Sequence, residues 1–520
     1  MNPTQRDPAL FVFRHLFASV TDEMGAALQH SAVSPNIKER LDFSCALLDA
    51  AGRLAAHAAF IPVHLGSAHS TVPAVLKELD PGPGDVVVLN DPFRGGTHLN
   101  DVTVLAPLFH AGKRCGFLLN RAHHADIGGA EPGSMSGAAD IFGEGLLIPP
   151  LLLRAGGKDV AAVWQLFAAN VRDPAAARGD LQAQLAALHR GQIRFDDLLA
   201  RYGVAALTRA MASLFEHGAA FTRTMLASWP RHAVEVHDFL DGVDSPRLQL
   251  RLQVTAGRLI LDFSGSAAQV PGSWNTHRAV TTSAVFYLLQ AIGGGHLPET
   301  SGTLEAVDLR LPEGSIVGAC FPAGVALGNV ETSQRIVDLL LAAMRQLMPG
   351  KFPAASHGSM NNLLFGGKRA DGTPFVFYET HGGGAGAGPQ GDGASAVQTH
   401  MTNTRNTPIE ILEEELPVRV KRLALRRGSG GRGEFRGGDG LLKEIEFLEP
   451  VRLTVAATRR NSQAAGAGGG EPGKSGVDSV TIAGKTKRLR SAEAIDLPSG
   501  GSIKIATPGG GGYTKDQSSN

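Results

Sequence analysis

The chain has 520 residues, with 49 Lys and Arg against 49 Asp and Glu, so its formal net charge is zero. That balance gives no electrostatic footprint for nucleic acid or an anionic membrane surface. The length exceeds one ordinary domain of ~100–200 residues, so roughly two to four domains with large cores are expected.

Leu10, Phe11, Phe13, Leu16, Val20, Met24 and Leu28 recur at helical spacing and predict an amphipathic helix over 8–30, which Pro35 ends. Met1 to Leu16 shows no basic region followed by an apolar core and a cleavage site. No apolar run approaches the ~20 residues that span a bilayer. Cys45, Cys115 and Cys320 are few, odd in number and far apart, so no disulfide framework follows. A reducing cytoplasm is the expected location. Cys45 and Cys115 read as small buried hydrophobes.

Asp42 to Leu48 reads as a strand, turning through Asp49-Ala50-Ala51-Gly52 into Arg53-Leu54-Ala55. Ser70 to Leu79 reads as a helix capped by Ser70 or Thr71. Asp85 to Leu89 is a short buried strand.

Two histidine-bearing segments follow, Asn90 to Asp101 and Asn120 to Gly129. Between them lie two apolar runs, Val102 to Phe109 and Cys115 to Leu119, separated by Ala111-Gly112-Lys113. This pattern predicts a β-hairpin. A turn centred near Ala111 and Gly112 sets Asp101 opposite Ala122, with His123 one place away and His98 opposite Ala125. Opposed residues in an antiparallel pair are ~5 Å apart at Cβ. His98, Asp101 and His123 therefore converge at the open end. Imidazole and carboxylate ligands together suit Zn, Mn or Fe. His64 and His69 lie close enough in sequence to reach the same place.

From 158 to 230, helix-period apolar positions run from Leu181 to Leu188, Phe195 to Tyr202 and Val204 to Trp229, and Pro230 closes this helical block. Strands return at Leu248 to Val254 and Arg258 to Phe263, followed by helices at Val280 to Ile292 and Thr332 to Met348. Beyond 350, glycine-rich loops separate strands such as Phe375 to Tyr378, Val451 to Ala456, Ser479 to Ile482 and Ser502 to Ala506. The composition shift near 240 divides the chain into 1–240, carrying the metal-site segments and the helical block, and 241–520, mixed α/β to strand-rich. The fold class is a mixed α+β multidomain protein, strand-rich with glycine-rich loops. Glycine is abundant, 65 residues, and such loops allow positive φ and close approach to ligands.

Two glycine motifs mislead. Gly468 to Ser475 fits GxxxxGK[ST], but Gly476 to Ile482 reads as a strand where a phosphate loop needs a helix. Gly386 to Gly391 fits GxGxxG, but His381-Gly382-Gly383-Gly384 is too long for the dinucleotide turn. With Glu379 and His381 beside it, that run is a candidate pocket lining instead.

The sequence resembles the hydantoinase B / oxoprolinase B family. The matching stretches are Ser34 to Ser44, Asn90 to Val104, Arg121 to Met135, Gly328 to Arg335, Met401 to Glu410, Phe435 to Gly440 and Thr507 to Tyr513. The resemblance runs from about 7 to 515. It implies an A-type partner with an actin-like ATP-binding fold, which phosphorylates a cyclic amide or a ketone enolate using ATP and Mg. The family includes hydrolases of N-methylhydantoin, 5-oxoproline and lactams, and carboxylases of the acetone and acetophenone type. Its metal ligands fall on His98, Asp101 and His123, with Asp42 as a fourth on the resemblance alone.

The reading that results is the B component of an ATP-dependent hydrolase of a small cyclic amide, working in a hetero-oligomer without nucleic acid or membrane. A divalent metal (Mn, Zn or Fe) sits here, and ATP and Mg sit on the partner. His124 and Asp126, beside His123, are the candidates for moving protons or orienting a ligand. Alternation along the strand points His124 away from His123. The rivals are a ketone carboxylase subunit, whose chains are usually longer, and a non-catalytic metal-binding scaffold. Glycines around both segments favour an open, catalytic site over a closed structural one.

Overall fold

The computed structural model describes residues 8–58, 61–64, 66–135, 137–242 and 244–515. The first region opens with α1 (Pro8–Ser31) and the short α2 (Pro35–Lys38), then β1 (Phe43–Asp49), β2 (Leu54–Ala58), α3 (Ala68–Val75) and β3 (Val86–Leu89). It continues through β4 (Asp101–His110), β5 (Lys113–His123), β6 (Leu151–Ala155), β7 (Lys158–Asp159), α4 (Ala161–Ala169), α5 (Pro174–Tyr202) and α6 (Val204–Ala227). Its strands form one sheet in the order β2-β1-β5-β4-β3-β6-β7. One face, through Cys45, Leu47, Val102, Val104, Leu118 and Ala122, packs on apolar residues of α1, α5 and α6. The other, through Leu48, Leu105, Phe117 and Leu119, is covered by α3. The sheet thus lies between two helical layers, which is why its strands read as near-continuous apolar runs.

Predicted and observed elements differ most at α3. It starts and ends earlier than Ser70 to Leu79, with Ser67 at its N-cap. Ser70 and Thr71 lie inside it, and the Ser70 hydroxyl donates back to Ser67 O at 2.7 Å instead of capping.

The helical block is as expected. Asp173 caps α5 by accepting from Ala176 N, with Pro174 in the first turn. Next come β8 (Val234–Phe239), β9 (Arg247–Thr255), β10 (Arg258–Asp262), α7 (Arg278–Gly293), β11 (Val307–Arg310) and α8 (Ser333–Leu347). These strands form a sheet in the order β11-β10-β9-β8, so the composition shift near 240 falls between two paired strands. The buried helices α7 and α8 share its core.

The final region holds β12 (Asn362–Lys368), β13 (Pro374–Glu379), α9 (Ile409–Glu415), β14 (Val418–Arg426), β15 (Gly440–Phe447), β16 (Val451–Ala456), β17 (Val477–Ile482), β18 (Lys485–Arg488), β19 (Ala492–Leu497) and β20 (Ser502–Ala506). Its two sheets run β13-β12-β16-β19 and β14-β15-β20-β17-β18.

The C-terminal glycines serve a different purpose from the one expected. Segments around 382–394, 429–438, 464–473 and 508–513 lie side by side and hydrogen-bond backbone to backbone, as in Gly438 N to Ala385 O at 2.9 Å and Gly510 N to Gly438 O at 3.0 Å. A Cβ on Gly384 would run into Gly438 O, and one on Gly510 into Ala385 O. Neither residue has left-handed backbone. Glycine is needed here because one main chain packs directly on another. Both misleading motifs fall in this bundle: Gly386 abuts Ala354, Gly470 abuts Gly512, and β17 follows the phosphate-loop look-alike.

Candidate metal centre

Asp101 begins β4 and His123 ends β5, and the two are directly opposed. This corrects the expected pairing of Asp101 with Ala122 by one place. The turn is where it was placed, at Ala111 (φ 48°) and Gly112 (φ 74°). Leu108 pairs with Gly116 but Phe109 with Arg114, so Cys115 is an extra residue. That β-bulge shifts the ladder and puts Asp101 and His123 on one face.

His98 arrives from the loop after a 3₁₀ turn, Pro92–Arg94, whose start Asp91 caps by accepting from Phe93 N. A bond from Asp101 N to His98 O, 3.1 Å, folds the chain back over the strand end. Asp101 Oδ1 then lies 3.2 Å from His98 Nε2 and 3.3 Å from His123 Nδ1. Ligand atoms from the three side chains all fall within 4.8 Å of one another. None of the three residues is more than 3 % exposed. Both ring nitrogens of His98, Asp101 Oδ1 and His123 Nε2 have no hydrogen-bond partner. An unsatisfied buried polar group costs about 1–3 kcal/mol. Several of them converging on one point is the donor set a cation would satisfy.

The other carboxylate oxygen is fully occupied. Asp101 Oδ2 accepts from Thr97 Oγ1 at 2.7 Å and faces His64 Nε2 at 3.0 Å. His64 Nδ1 in turn meets Ser44 Oγ at 3.0 Å. His277 Nε2 donates to Thr97 O at 2.7 Å. Arg121, two places before His123 and on the same face, donates to Thr103 Oγ1 at 2.8 Å and to Gly95 O at 3.0 Å, tying β5 to the His98 loop. Tyr378 stacks on the His123 ring, centroids 4.6 Å apart. Its hydroxyl donates to Asn362 Oδ1 at 2.9 Å.

Burial would push the Asp101 carboxyl up, but the imidazoles of His98, His64 and His123 outweigh it and hold it well below the usual carboxylate range. Burial pushes the His123 imidazole down, against the pull of Asp42 and Asp101. Asp101 is thereby held as carboxylate and His123 is biased toward the neutral imidazole, the protonation states of metal ligands.

The remaining sequence candidates stand apart from this group. Asp42 is buried beside it, with Oδ2 3.8 Å from Arg40 and its backbone carbonyl accepting from His123 N. Its carboxylate is outside the three-residue group. His124 faces the opposite side of the sheet, with Nε2 3.0 Å from Gln184 Oε1 and its ring edge-on to Phe167. Asp126 accepts from Arg172 Nη1, Arg172 N, Gly128 N and Gly133 N and organises the loop after β5. His69 lines a separate cavity of about 740 Å³ with Lys77, Arg258 and Arg278. Glu379 and His381 are fully buried, Glu379 being paired with Lys443. The glycines near the cluster do not open it: Gly96 packs on Asn90 O and Gly129 on Glu144 O. Thr97, Arg121 and Tyr378 escaped the sequence reading. Strand alternation pointed to Arg121, whereas nothing local points to Tyr378.

A family profile described as Hydantoinase B/oxoprolinase matches residues 7–516. The chain belongs to this family. Among hydantoinase B/oxoprolinase relatives, "5-oxoprolinase 1" of Arabidopsis thaliana is 38 % identical over 534 residues, covering 97 % of this chain and 41 % of that protein. The chain thus spans about two fifths of that relative's length. The B component of a "Putative D-/L-hydantoinase" of Pseudomonas sp. (strain NS671) is 28 % identical over 527 residues, covering 95 % of this chain and 88 % of that one. The crystal structure of the ATP-dependent caprolactamase from Pseudomonas jessenii superposes with a TM-score of 0.88 at 26 % identity, over 98 % of this chain and 92 % of that one. A nucleotide-free acetone carboxylase shares the fold, with a TM-score of 0.90 at 19 % identity over 98 % of this chain and 76 % of that chain. Among the described residues no helix is long and apolar enough to cross a membrane.

Proposed function

We propose that this chain is the B component of an ATP-dependent amidohydrolase that opens a small cyclic amide: a hydantoin, 5-oxoproline or a lactam. In this reading an A-type subunit carrying ATP and Mg converts the amide oxygen into a phosphate leaving group, and this chain completes the opening. The observation that carries it is the set of unpaired ligand atoms on His98, Asp101 and His123, in a chain whose relatives are named for such hydrolases.

His98, Asp101 and His123 would hold a divalent cation, Mn, Zn or Fe, with Asp42 as a fourth ligand on the strength of the family resemblance. The cation would supply Lewis acidity and a water of lowered pKa. The chain's own residues set the stage for it. Thr97 and His64 hold Asp101 Oδ2, which turns Oδ1 toward the imidazoles. Tyr378 fixes the plane of His123. Burial keeps bulk water away and strengthens every charge interaction at the site. Proton transfer is not given to His124 or Asp126. His124 points to α5, and the Asp126 carboxylate is consumed by Arg172 and backbone amides.

The test is coexpression with an A-type subunit and assay of ATP turnover with hydantoin, 5-oxoproline or 2-pyrrolidinone. Amide-dependent ATP hydrolysis with ring opening, lost on metal removal, is expected. Bicarbonate-dependent turnover with a ketone would replace this reading by the carboxylase one. Tight metal with no turnover of either kind would make the chain a scaffold.

A further inference from the structure

The cavity of about 740 Å³ lies between α3, the N-terminus of α7 and β11, and none of His98, Asp101 and His123 lines it. Lys77, Arg258 and Arg278 put positive charge on its walls. Among the described residues none of the three is in an ion pair. The acid on the wall, Asp308, is already held by Arg310, whose Nε and Nη2 donate to it at 3.1 and 2.7 Å. Helix α7 starts at the cavity without a side-chain cap. Arg278 and Ala279 line it, and among the described residues their N–H groups have no acceptor. Free amides at the positive end of a helix dipole favour an anion.

An independent observation narrows the choice of anion. His277, the residue before α7, lines the cavity and is 5 % exposed. Its Nε2 faces Thr97 O at 2.7 Å, and a carbonyl only accepts, so Nε2 carries the hydrogen. Burial pushes the imidazole down to about 4, so the ring is neutral and Nδ1 is an acceptor. Nδ1 has no partner among the described residues, and it is not one of the unpaired atoms shut off from solvent. Both nitrogens of His98 are shut off in that way, whereas His277 Nδ1 is reached from the cavity its ring lines. An ion bound here must bring a hydrogen to Nδ1 and negative oxygens to the amides. Sulfate has no hydrogen to give, and hydrogen phosphate has one.

We propose that this cavity is a binding site for hydrogen phosphate. The P–O–H group donates to His277 Nδ1, and the other oxygens accept from the N–H groups of Arg278 and Ala279. Lys77, Arg258 and the Arg278 side chain balance the charge from the walls. Thr97, which accepts from His277, donates through Oγ1 to Asp101 Oδ2 at 2.7 Å. Two hydrogen bonds thus join His277 to the metal cluster. The site goes beyond the hydrolase reading and requires neither the metal nor a partner subunit.

Titration calorimetry on the full chain, stripped of metal with EDTA and dialysed, tests this with inorganic phosphate, methyl phosphate and sulfate. At about pH 8 all three carry roughly two negative charges, but only inorganic phosphate keeps a hydrogen. Phosphate is expected to bind. Methyl phosphate and sulfate should bind at least about ten-fold more weakly, since they leave His277 Nδ1 unpaired. His277→Gln keeps a donor for Thr97 O but removes the acceptor, and should bring phosphate down to the level of sulfate. Lys77→Ala, at an exposed position, should weaken phosphate binding. Absence of phosphate binding by the wild-type chain overturns the proposal. So does equal binding of the three ions, which would make the cavity a cationic surface without selection. Phosphate binding that ignores both variants would place the ion elsewhere and overturns it too. The comparison of the three ions needs no variant to fold.

Discussion

His64 Nε2 lies 3.0 Å from Asp101 Oδ2, on the oxygen turned away from His98 and His123. The imidazole is 4 % exposed and its other nitrogen meets Ser44, so it has no freedom to leave. A carboxylate pinned through one oxygen presents the other in a fixed direction. His64 acts on the cluster without joining it.

Replacing His64 by Ala should therefore weaken metal binding about 10–100-fold, the usual effect of losing a partner that orients a ligand. At saturating metal the stoichiometry should stay unchanged. Competition with a chromophoric chelator measures this, and an unaltered affinity would remove His64 from the site.

The ligands themselves behave differently. His98→Ala or His123→Ala should drop bound metal to near background by mass spectrometry of the purified protein. Asp126→Asn should leave metal content unchanged but lower stability by about 1–3 kcal/mol, because Arg172 and the loop amides lose a charged acceptor. If Asp126→Asn empties the site and His123→Ala does not, the roles assigned here are reversed.

Local patterns made most of the hairpin legible. Ala111-Gly112 marked the turn, and the hairpin it implied brought His98, Asp101 and His123 to one open end. The exact pairing was not legible, because a bulge at Cys115 carries no composition signal and moves the register by one. Tyr378 was out of reach for another reason: its stacking on His123 depends on how two distant sheets dock, which period-2 patterns do not encode. The C-terminal glycines were visible as an excess, yet their purpose lay in tertiary packing of main chain on main chain.

Glu379 and Lys443 form a buried pair, with His381 Nε2 3.2 Å from the same carboxylate oxygen. Burial would raise the Glu379 carboxyl, but Lys443 and His381 outweigh it and hold it below its ordinary 4.5. A depressed carboxylate stabilises the fold above the unfolded value and loses that contribution as pH falls through about 4.5 toward the lower folded value. Lys443→Met strands the charge and should cost about 3–5 kcal/mol at pH 7. The gap from wild type should narrow as the pH is lowered below about 4.5, where Glu379 of the unfolded chain is already protonated. Adding Glu379→Gln should recover most of the loss at pH 7. Urea denaturation at pH 7 and pH 4 decides between this pairing and a merely steric effect of Lys443, for which the double variant would recover nothing.

The glycine bundle makes a sharper claim, since two substitutions of the same chemistry should part ways. A Cβ on Gly384 would occupy the space of Gly438 O and Gly510 N, both backbone atoms that cannot rotate away. Ala there has to push two hydrogen-bonded segments apart, and a loss of about 3 kcal/mol or more is expected. Gly391 lies in the same stretch of sequence, but a Cβ there meets nothing within 4 Å, and its backbone is not left-handed. Gly391→Ala should be neutral, or stabilise by about 0.4–1 kcal/mol through the reduced freedom of the unfolded chain. Thermal denaturation of the two variants side by side measures the difference. Equal losses would mean that flexibility matters here, and equal tolerance would mean that the segments are not packed as described. Only unequal outcomes, with Gly384 the sensitive one, agree with main chain lying directly on main chain.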